Sequence, residues 1–277
     1  MVMVGMHLPQ RLRQIEPYIM VTRPPLVVLS IVASIALMAY YHTYEPFTKA
    51  LLILISIVTA NTAFNIANEI SDIEIDSIGK VYKPLVRYPN IVKNVFVMHC
   101  ALLLIGVFAV IYLFLVYDTI YIILASIALV CSIVYNIYNY RGIGGNIALG
   151  TTYGVAAYFC SYPHGLIFAI AFSILTIAFN ITTQLQDIDD DRDSGRTTLP
   201  IQIGIRNARV LSLVLIGFFV IDIILSDISP IASMVFILSS LMLIFSEPQN
   251  FLYTEIFARV FGRIFMLLGF VFIFFGW

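Results

Sequence analysis

The stretch KNVFVMHCALLLIGVFAVIYLFLV, residues 93–116, decides the architecture. From Asn94 to Val116 it holds no Asp, Glu, Lys or Arg. That is the run of about 20 residues an α-helix needs to cross a bilayer core. It does not alternate in polarity, so it does not read as a strand of a membrane barrel. Runs of the same scale lie near 25–42, 48–68, 119–138, 144–162, 165–186, 207–225, 229–245 and 258–276, which makes nine expected spans. More than twenty polar and amphipathic residues precede the first span, too many for a cleaved signal peptide. Of the 277 residues, 61% are apolar, 14% aromatic and only 11% charged. Soluble domains run nearer 45–50% apolar and about 25% charged, and disordered chains are less apolar still. The expected fold class is therefore an all-α integral membrane protein. The net charge of −1 provides no basic field for nucleic acid. Cys100, Cys131 and Cys160 all sit in apolar stretches without paired or metal-ligand spacing, as small core residues do.

Cations set the expected orientation. With nine spans, Arg11, Arg13, Arg23, Lys80, Lys83, Arg87, Lys93, Arg141, Arg192, Arg196, Arg206, Arg209, Arg259 and Arg263 all fall on the N-terminal side, and only Lys49 falls opposite. The N-terminus is then cytoplasmic. Loops on the other side are short turns, such as His42–Pro46 and Tyr162–His164. The loops after the second and sixth spans are long and cytoplasmic, where binding loops are expected. The segment Ser246–Phe257 reads as interfacial.

Most of the acidic residues gather at the ends of those two spans. Glu69, Asp72, Glu74 and Asp76 follow the second; Asp187, Asp189, Asp190, Asp191 and Asp193 follow the sixth. Asn68, Asp72 and Asp76 are four apart, so a helix presents them on one face, successive turns about 6 Å apart. Asp187 and Asp191 repeat the step. A single acidic run is usually a solvated helix end. Two runs with this spacing on one side of a membrane protein instead suit Mg²⁺ ions shared with substrate phosphates. Lys83, Arg87, Arg141, Arg192 and Arg196 stand ready to offset the remaining phosphate charge. The recurrence suggests one domain over 1–277, built of two four-helix halves, 18–138 and 139–245, plus a ninth helix at 258–276.

These residues resemble the UbiA superfamily of intramembrane prenyltransferases. Asn68-x-x-x-Asp72-x-x-x-Asp76 is similar to that family's first aspartate-rich motif. Asp187-Ile-Asp-Asp-Asp191-Arg192-Asp-Ser-Gly195-Arg-Thr-Thr198-Leu199-Pro200 resembles its second. Arg23-Pro24, Lys83-Pro84, Tyr135 and Arg141-Gly-Ile-Gly-Gly145-Asn146 extend the resemblance up to Gly204. The chain departs from it at Glu69, where many relatives have Asp, at Tyr82-Lys83-Pro84, where many have Asn-Arg-Pro, and at Thr183-Gln184, where some have Lys-Asp.

The resemblance implies nine helices around a central cavity and Mg²⁺-dependent transfer of a prenyl group from its diphosphate. It implies Asp72, Asp76, Asp187 and Asp191 as catalytic metal ligands, with Asn68 as a neutral ligand. Arg23, Lys83, Arg87, Arg141, Arg192, Arg196, Tyr135, Tyr138 and Asn146 are the expected substrate-binding residues. Arg141 reads equally well as a topology signal. Tyr135 and Tyr138 read as interfacial belt residues or as shields for an allylic cation. Asn61 and Asn65 read as interhelical hydrogen-bonders or cavity-lining groups, His99 as a packed residue, Asp222 as interfacial, and Gly144, Gly145, Gly150 and Gly154 as close helix packing. The expected partners are a prenyl diphosphate, geranylgeranyl diphosphate first, a lipophilic acceptor and the bilayer itself. The Ile-rich, Lys-poor composition is similar to archaeal members and points to geranylgeranylglyceryl phosphate as acceptor, with an aromatic acceptor such as 4-hydroxybenzoate as the alternative. A reading from another class is an ion-coupled transporter, which would place its ionisable groups near the bilayer midplane.

Overall fold

Seven of the nine expected spans coincide with helices that begin and end within three residues of the expected limits. They are α2 (Pro24–Tyr40), α3 (Phe47–Ser71), α6 (Val92–Val116), α7 (Ile120–Tyr138), α8 (Ile143–Ser161), α9 (Leu166–Gln186) and α12 (Ile205–Leu225). Shorter helices lie between them: α1 (Gln10–Val21), α4 (Ile73–Gly79), α5 (Pro84–Arg87), α10 (Ile188–Asp193) and α11 (Leu199–Ile203). This computed structural model describes residues 10–79, 83–138, 142–225 and 266–275, with isolated positions at 231, 234, 235, 238 and 264. The expected span at 229–245 and the segment Ser246–Phe257 fall almost entirely outside the described residues. Of the span at 258–276, Met266–Phe275 is described as an apolar helix.

Among the described residues the regular structure is helical, with one isolated bridge at Thr197. Among the described residues, four helices are long and apolar enough to cross a membrane by length and composition: Phe47–Ser71, Pro89–Val116, Ile120–Ile137 and Leu166–Gln186. Ile15–Val21 and Pro24–Tyr40, bent by 52°, form a fifth candidate taken together. Chain neighbours pack side by side, α2 on α3, α3 on α6, α7 on α8, α8 on α9 and α9 on α12, while α2 also meets α8. Phe96, Val97, Leu104, Phe108 and Leu115 of α6 remain exposed, an apolar surface that suits lipid.

Glycine permits the tightest of these contacts. A Cβ at Gly154 would stand 2.7 Å from Ser173 Cβ and 2.8 Å from the Ala169 carbonyl, and one at Gly150 would run into the Ile177 side chain. α8 and α9 therefore approach backbone to side chain, as expected of small residues in membrane helices. Gly144 does not share this role, because nothing lies within 4 Å of a Cβ placed there. Asn61 donates to the Leu26 carbonyl and Ser30 Oγ and accepts from Tyr153 OH, so it ties α3 to α2 and α8. Asn65 reaches the Thr22 carbonyl. His99 Nδ1 lies 3.0 Å from the Ala63 carbonyl, which joins α6 to α3.

One arrangement occurs twice. A long helix (α3, α9) stops, a short acidic helix (α4, α10) restarts after one residue, a proline-initiated short helix follows (α5, α11), and a long helix returns (α6, α12). Each returning connection is seated by its own apolar cluster. Leu85 is packed with Val21, Ile66, Ile91 and Val95, and Leu199 with Ile181, Leu185 and Ala208. Burying one such leucine contributes about 2 kcal/mol toward seating each acidic segment against its bundle. The larger core, with Leu37, Ile53, Leu113, Phe168, Phe219 and Phe270, fills the rest.

Candidate active site

Neither acidic motif continues its helix without a break. α3 ends at Ser71 and Asp72 occupies its C-cap (φ −91°, ψ −4°); α9 ends at Gln186 and Asp187 does the same (φ −97°, ψ 13°). The four-residue step survives both breaks. Asp72 N donates to the Asn68 carbonyl at 3.1 Å and Asp76 N to the Asp72 carbonyl at 2.8 Å. In the second motif Asp187 N donates to Thr183 at 3.1 Å and Asp191 N to Asp187 at 2.8 Å. Asn68, Asp72, Asp76 and Asp191 are all buried.

Arg196 joins the two motifs. Its Nη1 donates to Asp191 Oδ1 at 3.2 Å, while its Nη2 lies 3.5 Å from Asp76 Oδ1 and 3.8 Å from Asp72 Oδ2. Carboxylates separated by more than a hundred residues thus face one buried guanidinium. A turn after α10 brings it there: Gly195 adopts φ +73°, and Arg196 N returns to the Asp191 carbonyl at 2.8 Å. Glycine takes that conformation without the steric cost other residues meet. Arg192, one α10 turn earlier, points out at 63% exposure and pairs with Asp189.

A second cationic group flanks the first motif. Lys83 Nζ lies 2.8 Å from Glu69 Oε1 and 3.5 Å from Asp76 Oδ2. Arg23, at the α1–α2 junction, donates from Nε at 3.0 Å and Nη2 at 2.5 Å to the same Glu69 oxygen. Burial, together with the neighbouring carboxylates of Asp76 and Glu69, pushes the Asp72 carboxyl up to about 6, against the pull of Arg196 and Lys83. Asn68 Oδ1 and Asp72 Oδ1 are buried without a hydrogen-bond partner.

Two orphaned hard oxygens beside further carboxylates fit Mg²⁺ chemically. Among the described residues, no three His, Cys, Asp or Glu side chains close into a cage for an ion. The set therefore suits metal coordination completed by phosphate oxygens. Asn68, Asp72, Asp76 and Asp191 are the residues able to contribute, with Asp187 at the second break.

The structure brings together Arg23, Asn68, Asp72, Asp76, Lys83, Asp191 and Arg196. Tyr135 is buried against Phe64, ring centroids 5.4 Å apart, so it is a core residue and not a belt residue. Asn146 is fully buried, accepting from Asn180 at 2.8 Å and donating to the Gly142 carbonyl and Gln184. Arg87 lies apart from this group, exposed and stacked on Tyr88. Arg141 and the side chains of Tyr138 and Asp222 lie outside the described residues. Sequence reasoning gave no role to Glu69, although a carboxylate at the end of an apolar helix must find partners when buried.

The profile of the UbiA prenyltransferase family matches residues 27–255. The chain belongs to that family. It is 25% identical over 226 residues to digeranylgeranylglyceryl phosphate synthase of Methanobrevibacter smithii, covering 75% of each chain. Among solved structures, one described as digeranylgeranylglyceryl phosphate synthase aligns with a TM-score of 0.67 at 19% identity, over 94% of this chain and 98% of that one. A UbiA homolog from Archaeoglobus fulgidus bound to GPP and Mg²⁺ aligns at 0.68 and 16% identity, over 93% and 99%. The apo UbiA homolog from Aeropyrum pernix K1 aligns at 0.68 and 18%, over 88% and 96%. The chain thus has the UbiA fold. As a UbiA-family prenyltransferase it is a multi-pass membrane protein, with the convergent acidic and cationic residues at one end of its bundle.

Proposed function

We propose that this prenyltransferase moves a geranylgeranyl group from its diphosphate to geranylgeranylglyceryl phosphate, in ether-lipid synthesis of the archaeal type. The observation that carries the site assignment is the placement of Asp72, Asp76 and Asp191 around one buried guanidinium, Arg196. Two motifs built to face a common point suit a compact polyanion and its counter-ions. The acceptor assignment is supported by the name of the Methanobrevibacter relative and by the composition. The metal assignment draws on the Mg²⁺ and prenyl diphosphates bound by the Archaeoglobus homolog.

The donor's C1–O bond breaks and the electron pair leaves with diphosphate. Arg23, Lys83 and Arg196 face that developing charge from fixed positions, so little reorganisation accompanies ionisation. Asn68, Asp72, Asp76, Asp187 and Asp191 would hold Mg²⁺, which when bound would supply Lewis-acid stabilisation of the leaving group. The allylic carbon is shielded from water by the apolar helices, with the buried Tyr135 among the groups near the motif end. The acceptor hydroxyl then attacks C1 and forms the ether C–O bond, its proton passing to the released diphosphate.

In this reading nine spans cross the membrane, the N-terminus and the site are cytoplasmic, and the two halves with the added ninth helix form one domain. The transporter reading is disfavoured by position: the clustered carboxylates lie where long helices end, at Asp72 and Asp187. The test is a product assay with purified protein, Mg²⁺ and radiolabelled geranylgeranyl diphosphate, offering geranylgeranylglyceryl phosphate and 4-hydroxybenzoate in parallel. A labelled lipid ether supports the proposal. A labelled aromatic product replaces the acceptor, and no product or diphosphate release with either acceptor overturns the assignment.

A further inference from the structure

Three separate chain segments meet on one oxygen of Glu69. Arg23 reaches it from the α1–α2 junction through Nε and Nη2, and Lys83 reaches it from the connection before α5 at 2.8 Å. Glu69 itself lies near the end of α3 and is 4% exposed. With three nitrogen atoms converging on Oε1, this carboxylate differs from its neighbours. Asn68 and Asp72 each keep a buried oxygen without a hydrogen-bond partner, while Glu69 is engaged by cations. It is not placed as a metal ligand.

We infer that Glu69 is a positioning residue: it clamps Arg23 and Lys83 in the geometry that receives the donor's diphosphate. Glu69 offsets only one of the two cationic charges, and Lys83 is shared with Asp76 Oδ2 at 3.5 Å. Arginine and lysine have long, rotamer-rich side chains, and holding both in advance removes an ordering cost from binding. The fixed backbone of Arg23 adds to the same end. Its φ of +53° lies in the left-handed region, unusual for arginine, immediately before Pro24 and Pro25. Glutamate carries one more methylene than aspartate, and here its carboxylate reaches both Arg23 at the α1–α2 junction and Lys83 before α5.

The inference rests on the diphosphate site proposed above, and binding separates the two. Titrate full-length protein in detergent with Mg²⁺ and a non-hydrolysable geranylgeranyl thiolodiphosphate, for wild type, Glu69→Gln, Glu69→Asp, Lys83→Ala and the Glu69→Gln/Lys83→Ala double variant. Folding is checked by size-exclusion profile, and Glu69→Asp carries the test if the neutral variant does not fold. Glu69→Gln is expected to weaken binding about tenfold, Glu69→Asp to restore binding to at least a third of the wild-type affinity, and the double variant to be weaker than Lys83→Ala by clearly less than that tenfold, since only the Arg23 half of the clamp is then left to lose. The Mg²⁺ concentration giving half-maximal binding should stay within twofold of wild type. Unchanged or tighter binding in Glu69→Gln overturns the inference, as does a fully additive double variant or a large rise in the Mg²⁺ requirement. Failure of wild type to bind the analogue overturns the underlying site instead.

Discussion

Replacing Asp72 by Asn should make the metal-free protein more stable and the enzyme nearly inactive. Burial raises the Asp72 carboxyl from the ordinary value of 3.8 to about 6. The folded state therefore holds this proton more tightly than the unfolded chain does. The stabilisation from the protonated form is complete below pH 3.8 and is lost as pH rises through about 6. At pH 7 the ionised carboxylate costs the fold about 3 kcal/mol, at about 1.36 kcal/mol per pH unit. Asn has the same shape without the charge, and the attraction to Arg196 that it forfeits is already contained in that balance. In EDTA at pH 7, Asp72→Asn should melt roughly 5 °C above wild type or more, and the difference should vanish near pH 4. Prenyl transfer in Mg²⁺ should fall by about a hundredfold or more, the scale of losing one charge-stabilising group. Thermal melts in detergent over pH 4–8, with turnover measured on the same samples, test both halves. A lower melting temperature for the variant at pH 7, or turnover within threefold of wild type, would refute the reasoning.

Arg196→Gln removes the group that faces both motifs and should reduce turnover by about a hundredfold; Arg196→Lys should recover little, because an ammonium lacks the planar fork that reaches three carboxylates. Stripping divalent ions with EDTA should stop the reaction, and added Mg²⁺ should restore it, followed by release of labelled product. Gly154→Ala drives a methyl into Ser173 and the Ala169 carbonyl. It should cost about 1–3 kcal/mol, seen as a lower melting temperature, with turnover per folded molecule retained.

The long helices were legible because charge marks their limits: α6 begins beside Lys93, α3 ends before Asp72, and α12 starts beside Arg206. The breaks at Asp72 and Asp187 were not, since the amide-to-carbonyl pattern four residues back persists through each and leaves the spacing unchanged. Nor does the sequence rank Arg192 against Arg196, which differ by one helical step. The positive φ of Gly195 separates them, turning Arg196 back onto Asp191 and leaving Arg192 in the open. By type and spacing alone Glu69 groups with its acidic neighbours. Its distinct partners come from segments forty-six residues earlier and fourteen later. The sequence leaves Asn61 and Asn65 between interhelical links and cavity-lining groups, and the structure shows both bonding across to the α1–α2 segment.

The central claim is that residues from both motifs form a single diphosphate site. Calorimetric titration of the purified enzyme with geranylgeranyl thiolodiphosphate in Mg²⁺ tests it most directly, using wild type, Asp76→Asn and Asp191→Asn. One molecule bound per chain, with affinity reduced at least tenfold by either substitution, is the predicted result. Wild-type affinity in either variant, or two independent sites, would contradict it.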